Sequence, residues 1–269
     1  MIRATGLGYR YGRSADWTFR DVNVTIPAGE ILAVLGPNAR GKTTLVSTLA
    51  GLRVPAAGDV EREGHVGFVP QSHASAFAFP VREVVLMGRA RHVRAMSTPG
   101  KHDREIADAA LERIGISHLA DRSYPRLSGG ERQLVLIARA LASECSSMVL
   151  DEPASALDLR NQGRVLSVLR SLADEGMAIV MTTHHPDHAF HIAERSLLIV
   201  GPDDVRVGAT GELLTEDLLS ELYGLGMQTA DVMTPSALRR LIVPDFGPAV
   251  PAAWSAAVRS APTEEGVRV

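Results

Sequence analysis

The hydrophobic pattern begins as that of a β region. Val22, Val24 and Ile26 alternate with polar residues, and Pro27-Ala28-Gly29 follows as a turn. Alternation of this kind is typical of a strand with one buried face. The uninterrupted apolar run from Ile31 to Leu35 predicts a fully buried strand. The first 35 residues therefore predict an antiparallel β region that leads into a buried strand.

From residue 42 onward, helical patterns alternate with short apolar runs. The predicted helices cover about 42–52, 81–91, 104–114, 130–143 and 162–174. The predicted strands cover 65–70, 148–150 and 178–182. Strands that alternate with helices favour a parallel sheet with crossover helices. The two consecutive helices between residues 81 and 114 predict a helical insertion into an α/β core.

Composition changes near residue 225. We predict one domain over 1–225, with a helical subdomain inserted at about 72–143, and a loosely ordered Ala/Pro-rich tail over 226–269. Tracts such as PDFGPAVPAAW lack the apolar periodicity needed to build a core.

Charge and hydropathy exclude several classes. A net charge of −3 gives no electrostatic reason to expect a nucleic acid partner. The apolar stretch 134–142 is interrupted by Arg139, so it is unsuited to span a bilayer. The charged N-terminal region does not resemble a signal peptide, and the single Cys145 agrees with a reducing compartment. We therefore expect a protein that stays inside the cell.

A phosphate-binding loop follows the buried strand. The sequence GPNARGKT fits G-x-x-x-x-G-K-[ST] and stands between a predicted strand and a predicted helix, as that motif requires. Its backbone N–H groups and Lys42 would hold nucleotide phosphates, and Thr43 would offer a hydroxyl to Mg²⁺. The candidate loop residues are Gly36, Pro37, Asn38, Ala39, Arg40, Gly41, Lys42, Thr43 and Thr44.

Two carboxylates end the predicted strand at 148–150. At the end of a strand, Asp151 could bind Mg²⁺ and Glu152 could orient or deprotonate the attacking water. Strands often end in charged turns, but the phosphate loop makes the catalytic interpretation the stronger one. Ser128, Gly129 and Gly130 open a predicted helix, which is either an ordinary capping turn or an anion-binding helix start.

The strings LSGGERQ, GPNARGKTT and VLDEP together resemble those of ATP-binding cassette (ABC) ATPases. The resemblance covers about 1–225 and implies a P-loop NTPase core with a mostly parallel sheet, an N-terminal antiparallel β subdomain and an inserted α-helical subdomain. It implies that two copies bind two Mg-ATP, and that Ser128, Gly129 and Gly130 complete the partner's site.

The same resemblance assigns roles to four further positions. Tyr11 would stack on adenine, although Tyr9 is close by and a tyrosine of the core or of an edge strand is an alternative. Gln71 would contact Mg²⁺ and the attacking water, and Asp158 would lie in the loop that crosses the dimer interface, with a helix-capping turn as the alternative. His184 would bond the γ-phosphate, with His185 as its competitor.

The sequence departs from the family pattern at three positions. Ala39 and Arg40 stand where glycine and a small residue are usual. Alanine tolerates positive φ poorly, so the conformation of the loop is uncertain, but the roles of Lys42 and Thr43 are not affected. Ala154 replaces a common threonine, and we expect little consequence.

Several segments resemble those of ATPases that serve importers. Only 56 residues lie between Gln71 and Ser128, too few for the coiled coils of DNA-repair relatives. The segments 79–89 and 183–189 resemble ATPases of metal-chelate importers (siderophore, haem or cobalamin), and 97–156 resembles those of molybdate or tungstate importers.

The resemblance also implies the partners of the chain, which would form a homodimer at the cytoplasmic face of the membrane. The other partners of the chain would be a separate permease and, indirectly, a substrate-binding protein. The alternative is a soluble regulatory ATP sensor, and a kinase is disfavoured because the LSGGERQ string would have no role in one.

Overall fold

The computed structural model describes residues 1–12, 15–71, 78–94, 96–235 and 237–247. The strands in these ranges are β1 (Ile2–Tyr9), β2 (Phe19–Ile26), β3 (Ile31–Leu35), β4 (Ala57–Arg62), β5 (Val66–Val69), β6 (Ser147–Leu150), β7 (Ala178–Thr182), β8 (Arg195–Gly201), β9 (Asp204–Ala209), β10 (Met227–Met233) and β11 (Leu238–Pro244). The helices are α1 (Lys42–Leu49), α2 (Val81–Leu86), α3 (Lys101–Arg113), α4 (Gly129–Ala142), α5 (Leu159–Asp174), α6 (Pro186–Ile192), α7 (Thr210–Leu213) and α8 (Glu216–Tyr223).

The central layer is a six-stranded sheet in the order β5-β6-β7-β3-β8-β9. Every neighbouring pair is parallel except β8 and β9. All five residues of β3 are buried, because both faces of this strand are covered. Ile31, Ala33 and Leu35 belong to one hydrophobic core and Leu32 and Val34 to another. The predicted parallel α/β fold is confirmed.

A second sheet covers one face of the central sheet. It has three antiparallel strands in the order β2-β1-β4. Its buried residues, such as Ile2, Leu7 and Phe19, share a core with α1 and with alternate residues of the central strands. This is the predicted N-terminal antiparallel subdomain.

Helices α2 and α3 form the predicted helical insertion and pack against α4. The approach is close at Gly88, in the 3₁₀ turn after α2, where an added Cβ would lie 2.1 Å from the carbonyl oxygen of Arg139 in α4. Only glycine fits this contact without a shift of the helices.

The expectation of a loosely ordered tail from residue 226 is wrong for residues 227–244. Strands β10 and β11 form an antiparallel hairpin, paired from Met227 with Pro244 to Met233 with Leu238. Met227 and Ile242 are buried in the main core, and the Ile242 N–H donates to Asp187 Oδ1 of α6 at 2.8 Å. Residues 248–269, the rest of the predicted tail, lie outside the described residues.

The register of the central strands assembles the site. Val69 is level with Leu150, Leu150 with Met181, and Val34 with Thr182. The carboxyl ends of β5, β6, β7 and β3 therefore meet at one edge of the sheet, which is where ligands bind in open α/β folds. In the described part of the chain, no helix has the length and apolar content that a membrane span requires.

Candidate nucleotide-binding and hydrolysis site

The phosphate loop joins β3 to α1 through a series of left-handed residues. Gly36, Ala39 and Gly41 have φ values of 152°, 63° and 90°. A Cβ on Gly41 would lie 2.5 Å from Thr18 Cγ2, so this position requires glycine for both conformation and space. Ala39 adopts a positive φ although alanine tolerates this conformation poorly, so the loop keeps its turn at an energetic cost.

Lys42, the first residue of α1, turns back over this loop. Its Nζ donates to the carbonyl oxygens of Gly36 at 2.8 Å and Pro37 at 3.1 Å, and it lies 3.9 Å from Glu152 Oε1. Burial lowers the pKa of the Lys42 ammonium group, while the charges of Glu152 and Asp151 oppose that shift. A buried cation with neutral carbonyl partners is well placed to receive anionic phosphate oxygens.

A cavity of about 550 Å³ lies in front of the loop. This volume is in the usual range for small-molecule sites. Its lining brings together residues from four predicted motifs: Tyr11, Thr18, Asn38, Ala39, Gly41, Lys42, Thr43, Thr44, Gln71 and Glu152. Arg40 is exposed at the tip of the same loop.

The geometry favours Tyr11 over Tyr9 as the aromatic residue of this cavity. Tyr11 is 66 % exposed, and its hydroxyl is 2.8 Å from Thr44 Oγ1. Tyr9 instead packs against Phe19, and its hydroxyl accepts a hydrogen bond from Arg53. Of the two, Tyr11 lines the cavity, where its exposed ring lies 5.3 Å from that of Tyr9 and 5.6 Å from the guanidinium carbon of Arg53.

Asp151 and Glu152 follow β6, and one hydroxyl contacts both residues. Thr182, the last residue of β7, donates from Oγ1 to Asp151 Oδ1 at 2.7 Å. The Glu152 N–H donates to Thr182 Oγ1, also at 2.7 Å. Glu152 has φ 47°, a sparsely populated conformation for a residue with a side chain. Sequence reasoning missed Thr182, although its position as the polar end of a buried strand was a usable signal.

Gln71 and His184 converge on the Glu152 carboxylate. Gln71 Nε2 and His184 Nδ1 each lie 3.5 Å from Glu152 Oε2. Gln71 Nε2 is also 3.5 Å from Ser155 Oγ. The predicted strand-end residues therefore meet around one carboxylate.

The neighbouring histidine is placed differently. The His185 ring lies 4.0 Å from that of His184 at a tilt of 43°, and the backbone N–H of His185 donates to Thr183 Oγ1. Burial lowers the pKa of His185, and it lowers that of His188, whose Nδ1 is 3.2 Å from Thr183 Oγ1, to about 4. The geometry favours His184 over His185 as the residue that faces the reaction, because His184 Nδ1 lies 3.5 Å from Glu152 Oε2.

Ser128 and Asp158 each cap a helix. Ser128 Oγ accepts from Glu131 N–H, and Glu131 Oε2 accepts from Ser128 N–H, a capping box at the start of α4. Asp158 accepts from the N–H and the amide of Asn161 at the start of α5. A Cβ on Gly130 would lie 2.4 Å from Asn161 Cγ, so α4 and α5 are in close contact here.

These capping residues stand apart from the phosphate loop. In the part of the chain that the structure describes, Ser128, Gly129, Gly130 and Asp158 do not line the cavity. Within one copy of the chain, the structure brings together all the other predicted site regions but not this one.

Comparison with known proteins identifies the family to which this chain belongs. A family model described as ABC transporter matches residues 19–155. The chain belongs to the ABC transporter family. The molybdate import ATP-binding protein MolC of Haemophilus influenzae is 44 % identical over 227 residues, which are 84 % of this chain and 89 % of that protein.

Two further ABC proteins extend the comparison. The hemin import ATP-binding protein HmuV of Gloeobacter violaceus is 38 % identical over 264 residues, 91 % of this chain and 94 % of that protein. A solved inward-facing ABC transporter, assigned to the metal-chelate type, is 41 % identical with a TM-score of 0.85 and covers 90 % of this chain and 96 % of its own. This chain is thus an ABC ATPase with the P-loop fold of that family.

Proposed function

We propose that this chain is the ATP-binding and ATP-hydrolysing subunit of an importer that takes up a molybdate-like oxyanion or a metal chelate. The observation that carries the proposal is the 44 % identity to a molybdate import ATP-binding protein over 84 % of the chain. The hemin import protein and the metal-chelate transporter structure support the same two cargo classes.

The geometry supports ATP in the cavity of the phosphate loop. Backbone N–H groups of the loop and Lys42 would bind the phosphates, and the exposed ring of Tyr11 would stack on adenine. Loop residues Pro37 and Arg40 would shape the loop, and Asn38, Thr43 and Thr44 would lie beside the phosphate chain.

Residues at the start of α1 and at the strand ends fit Mg²⁺. The Thr43 hydroxyl, the Asp151 carboxylate and the Gln71 amide oxygen are hard oxygen donors, which Mg²⁺ prefers together with phosphate oxygens and water. Mg²⁺ bound there would neutralise charge on the phosphates. Glu152 would accept a proton from the attacking water, with Gln71 and His184 holding the water and the γ-phosphate in line.

Two copies of the chain would share each nucleotide. Ser128, Gly129 and Gly130 form a helix start that does not line the cavity of their own chain, and Asp158 caps the next helix. In the proposed dimer these residues close the partner's cavity over ATP.

An apolar groove on the helical insertion would bind the permease. It has a volume of about 380 Å³ and is lined by Phe79 before α2, by Leu86 at the end of α2 and by residues that follow it, such as Met87 and Val93. Met87 is 46 % exposed. Docking there would hold the chain at the cytoplasmic face of the membrane, while a separate binding protein delivers cargo to the permease.

The proposal is tested by uptake in cells that lack this chain. Labelled molybdate, ferric siderophore, haem and cobalamin are supplied in parallel, with maltose and an amino acid as controls. We expect loss of molybdate or of one chelate, restored by the wild-type gene and not by a Glu152→Gln gene. Loss of maltose or amino-acid uptake instead would refute the cargo assignment, and a failure to co-purify with any polytopic permease would refute the importer role.

A further inference from the structure

Thr182 links the two carboxylate residues of the site through one buried hydroxyl. Its side chain has no exposed surface. An amide N–H can only donate and an ionised carboxylate can only accept. The Glu152 N–H therefore donates to Thr182 Oγ1, and the hydroxyl proton points to Asp151 Oδ1, both at 2.7 Å.

The Glu152 peptide needs such an anchor. Its φ of 47° is a conformation that persists only where the surroundings hold it. Thr182 holds its N–H, and Ser155 holds its carbonyl oxygen through both the backbone N–H at 3.2 Å and the hydroxyl at 2.9 Å. The conformation places the side chain within 3.5 Å of Gln71 and of His184.

We propose that Thr182 is a positioning residue for ATP hydrolysis, which orients the Asp151 carboxylate and holds the Glu152 backbone in its left-handed conformation. The inference rests on the proposed function, since it takes Asp151 and Glu152 as the metal-facing and water-facing residues. One hydroxyl thereby couples the position of the metal to the position of the base.

Thr182→Val separates the hydroxyl from the shape of the side chain. Valine has nearly the same volume but neither donates nor accepts, while Thr182→Ser keeps the hydroxyl. Loss of a group that orients a ligand typically costs about 10- to 100-fold in activity or metal affinity. We expect kcat to fall by about that factor in the valine variant, with KM for ATP at saturating Mg²⁺ changed by less than about 3-fold.

A second measurement does not depend on turnover. The Mg²⁺ concentration that half-saturates binding of a fluorescent ATP analogue should rise about 10-fold in Thr182→Val. Hydrogen exchange of the peptide that contains Glu152, measured without nucleotide, should lose protection because the amide has lost its acceptor. Thr182→Ser should restore kcat, Mg²⁺ dependence and protection to near wild-type values.

Thr210→Val is the matched control. Thr210 is also buried, and its hydroxyl bonds Ser196 at 3.0 Å, on the far side of β8 from the catalytic residues. It should leave kcat and the exchange at Glu152 unchanged. Equal losses in Thr210→Val and Thr182→Val would mean a general structural effect and would overturn the inference.

The outcomes separate this inference from the proposed function. If Glu152→Gln is inactive while Thr182→Val keeps wild-type kcat, Mg²⁺ dependence and amide protection, only the role of Thr182 is wrong. Wild-type turnover in Glu152→Gln would instead remove the catalytic assignment itself. Should Thr182→Val fail to fold, Thr182→Cys replaces it, because a thiol is a weak donor and acceptor, and wild-type behaviour of that variant would equally overturn the inference.

Discussion

Glu152 is the residue on which the candidate hydrolysis site converges. Lys42, Gln71 and His184 all lie within 3.9 Å of its carboxylate. In Glu152→Gln the amide keeps the shape of the side chain but cannot accept the proton, so turnover should fall at least about 100-fold while ATP binding survives. The measurement is steady-state ATPase activity with the permease present, beside binding of a fluorescent ATP analogue. A variant that hydrolyses ATP at the normal rate would contradict the assignment.

Ala39 carries a cost that glycine would avoid. Its φ of 63° is unfavourable for alanine by about 1 kcal/mol. Glycine removes this strain, but it also makes the unfolded chain more flexible, which offsets part of the stabilisation. We expect Ala39→Gly to raise the free energy of unfolding by about 0.5 kcal/mol, measured by urea denaturation.

A helical alanine supplies the control for Ala39→Gly. Ala109 is exposed in α3, where glycine should lower the free energy of unfolding by about 1 kcal/mol. Destabilisation by both substitutions would argue against the left-handed conformation at residue 39.

At the scale of elements, two glycines should respond to alanine with opposite signs. In Gly88→Ala the new Cβ would meet the Arg139 carbonyl at 2.1 Å, so α4 must shift and the free energy of unfolding should fall by about 2–3 kcal/mol. Gly163 lies inside α5 with no atom within 4 Å of an added Cβ. Gly163→Ala should therefore raise the free energy of unfolding by up to about 1 kcal/mol. Thermal and urea unfolding of both variants check the prediction, and equal effects would refute the packing of α2 on α4.

The motifs at strand ends made it predictable that the candidate residues would lie close together, because each motif includes its neighbouring strand or helix. The phosphate loop, Asp151 and Glu152 follow apolar strands, and parallel strands bring their carboxyl ends to one edge. The position of Thr182 at the end of a buried strand could have marked it as a candidate, but its contact with Asp151 depends on the register between β6 and β7, which only the assembled sheet fixes. The roles of Ser128 and Asp158 beyond capping stay predictions.

The hairpin of β10 and β11 was missed for a different reason. The Ala/Pro-rich composition near the end of the chain was extended back over residues 227–244, although Met227, Thr229 and Ile242 line one face of a two-stranded pattern. Its stability comes from burial of Met227 and Ile242 and from Asp187, which composition does not reveal. The domain boundary at 225 stays a prediction.

At the scale of the whole molecule, substitutions at Gly129 test whether two copies of the chain form a dimer around ATP. Among the described residues, a Cβ at Gly129 would meet only Leu157 Cδ2, at 3.3 Å, so Gly129→Asp should fold and bind ATP as a monomer. Its carboxylate would repel the partner's γ-phosphate. ATP-dependent dimers of Glu152→Gln should be lost in the Glu152→Gln, Gly129→Asp double variant, as measured by size-exclusion chromatography with light scattering.

Gly129→Ala in the same background adds the side-chain atom without the charge and should leave dimers detectable. Dimers of wild-type strength in the aspartate double variant would refute the shared site.

The strand order has a consequence for synthesis on the ribosome. β3, which leads into the phosphate loop, pairs only with β7 and β8, and Ile31 lies level with Ile179. At roughly 5–20 residues per second, about 150 residues of translation take roughly 7–30 s. Throughout that interval the apolar strand β3 lacks its partner strands β7 and β8, so it is available to chaperones and prone to aggregation. ATP therefore cannot assist the nascent chain early, because the loop that would bind it takes shape only when the last third of the protein emerges.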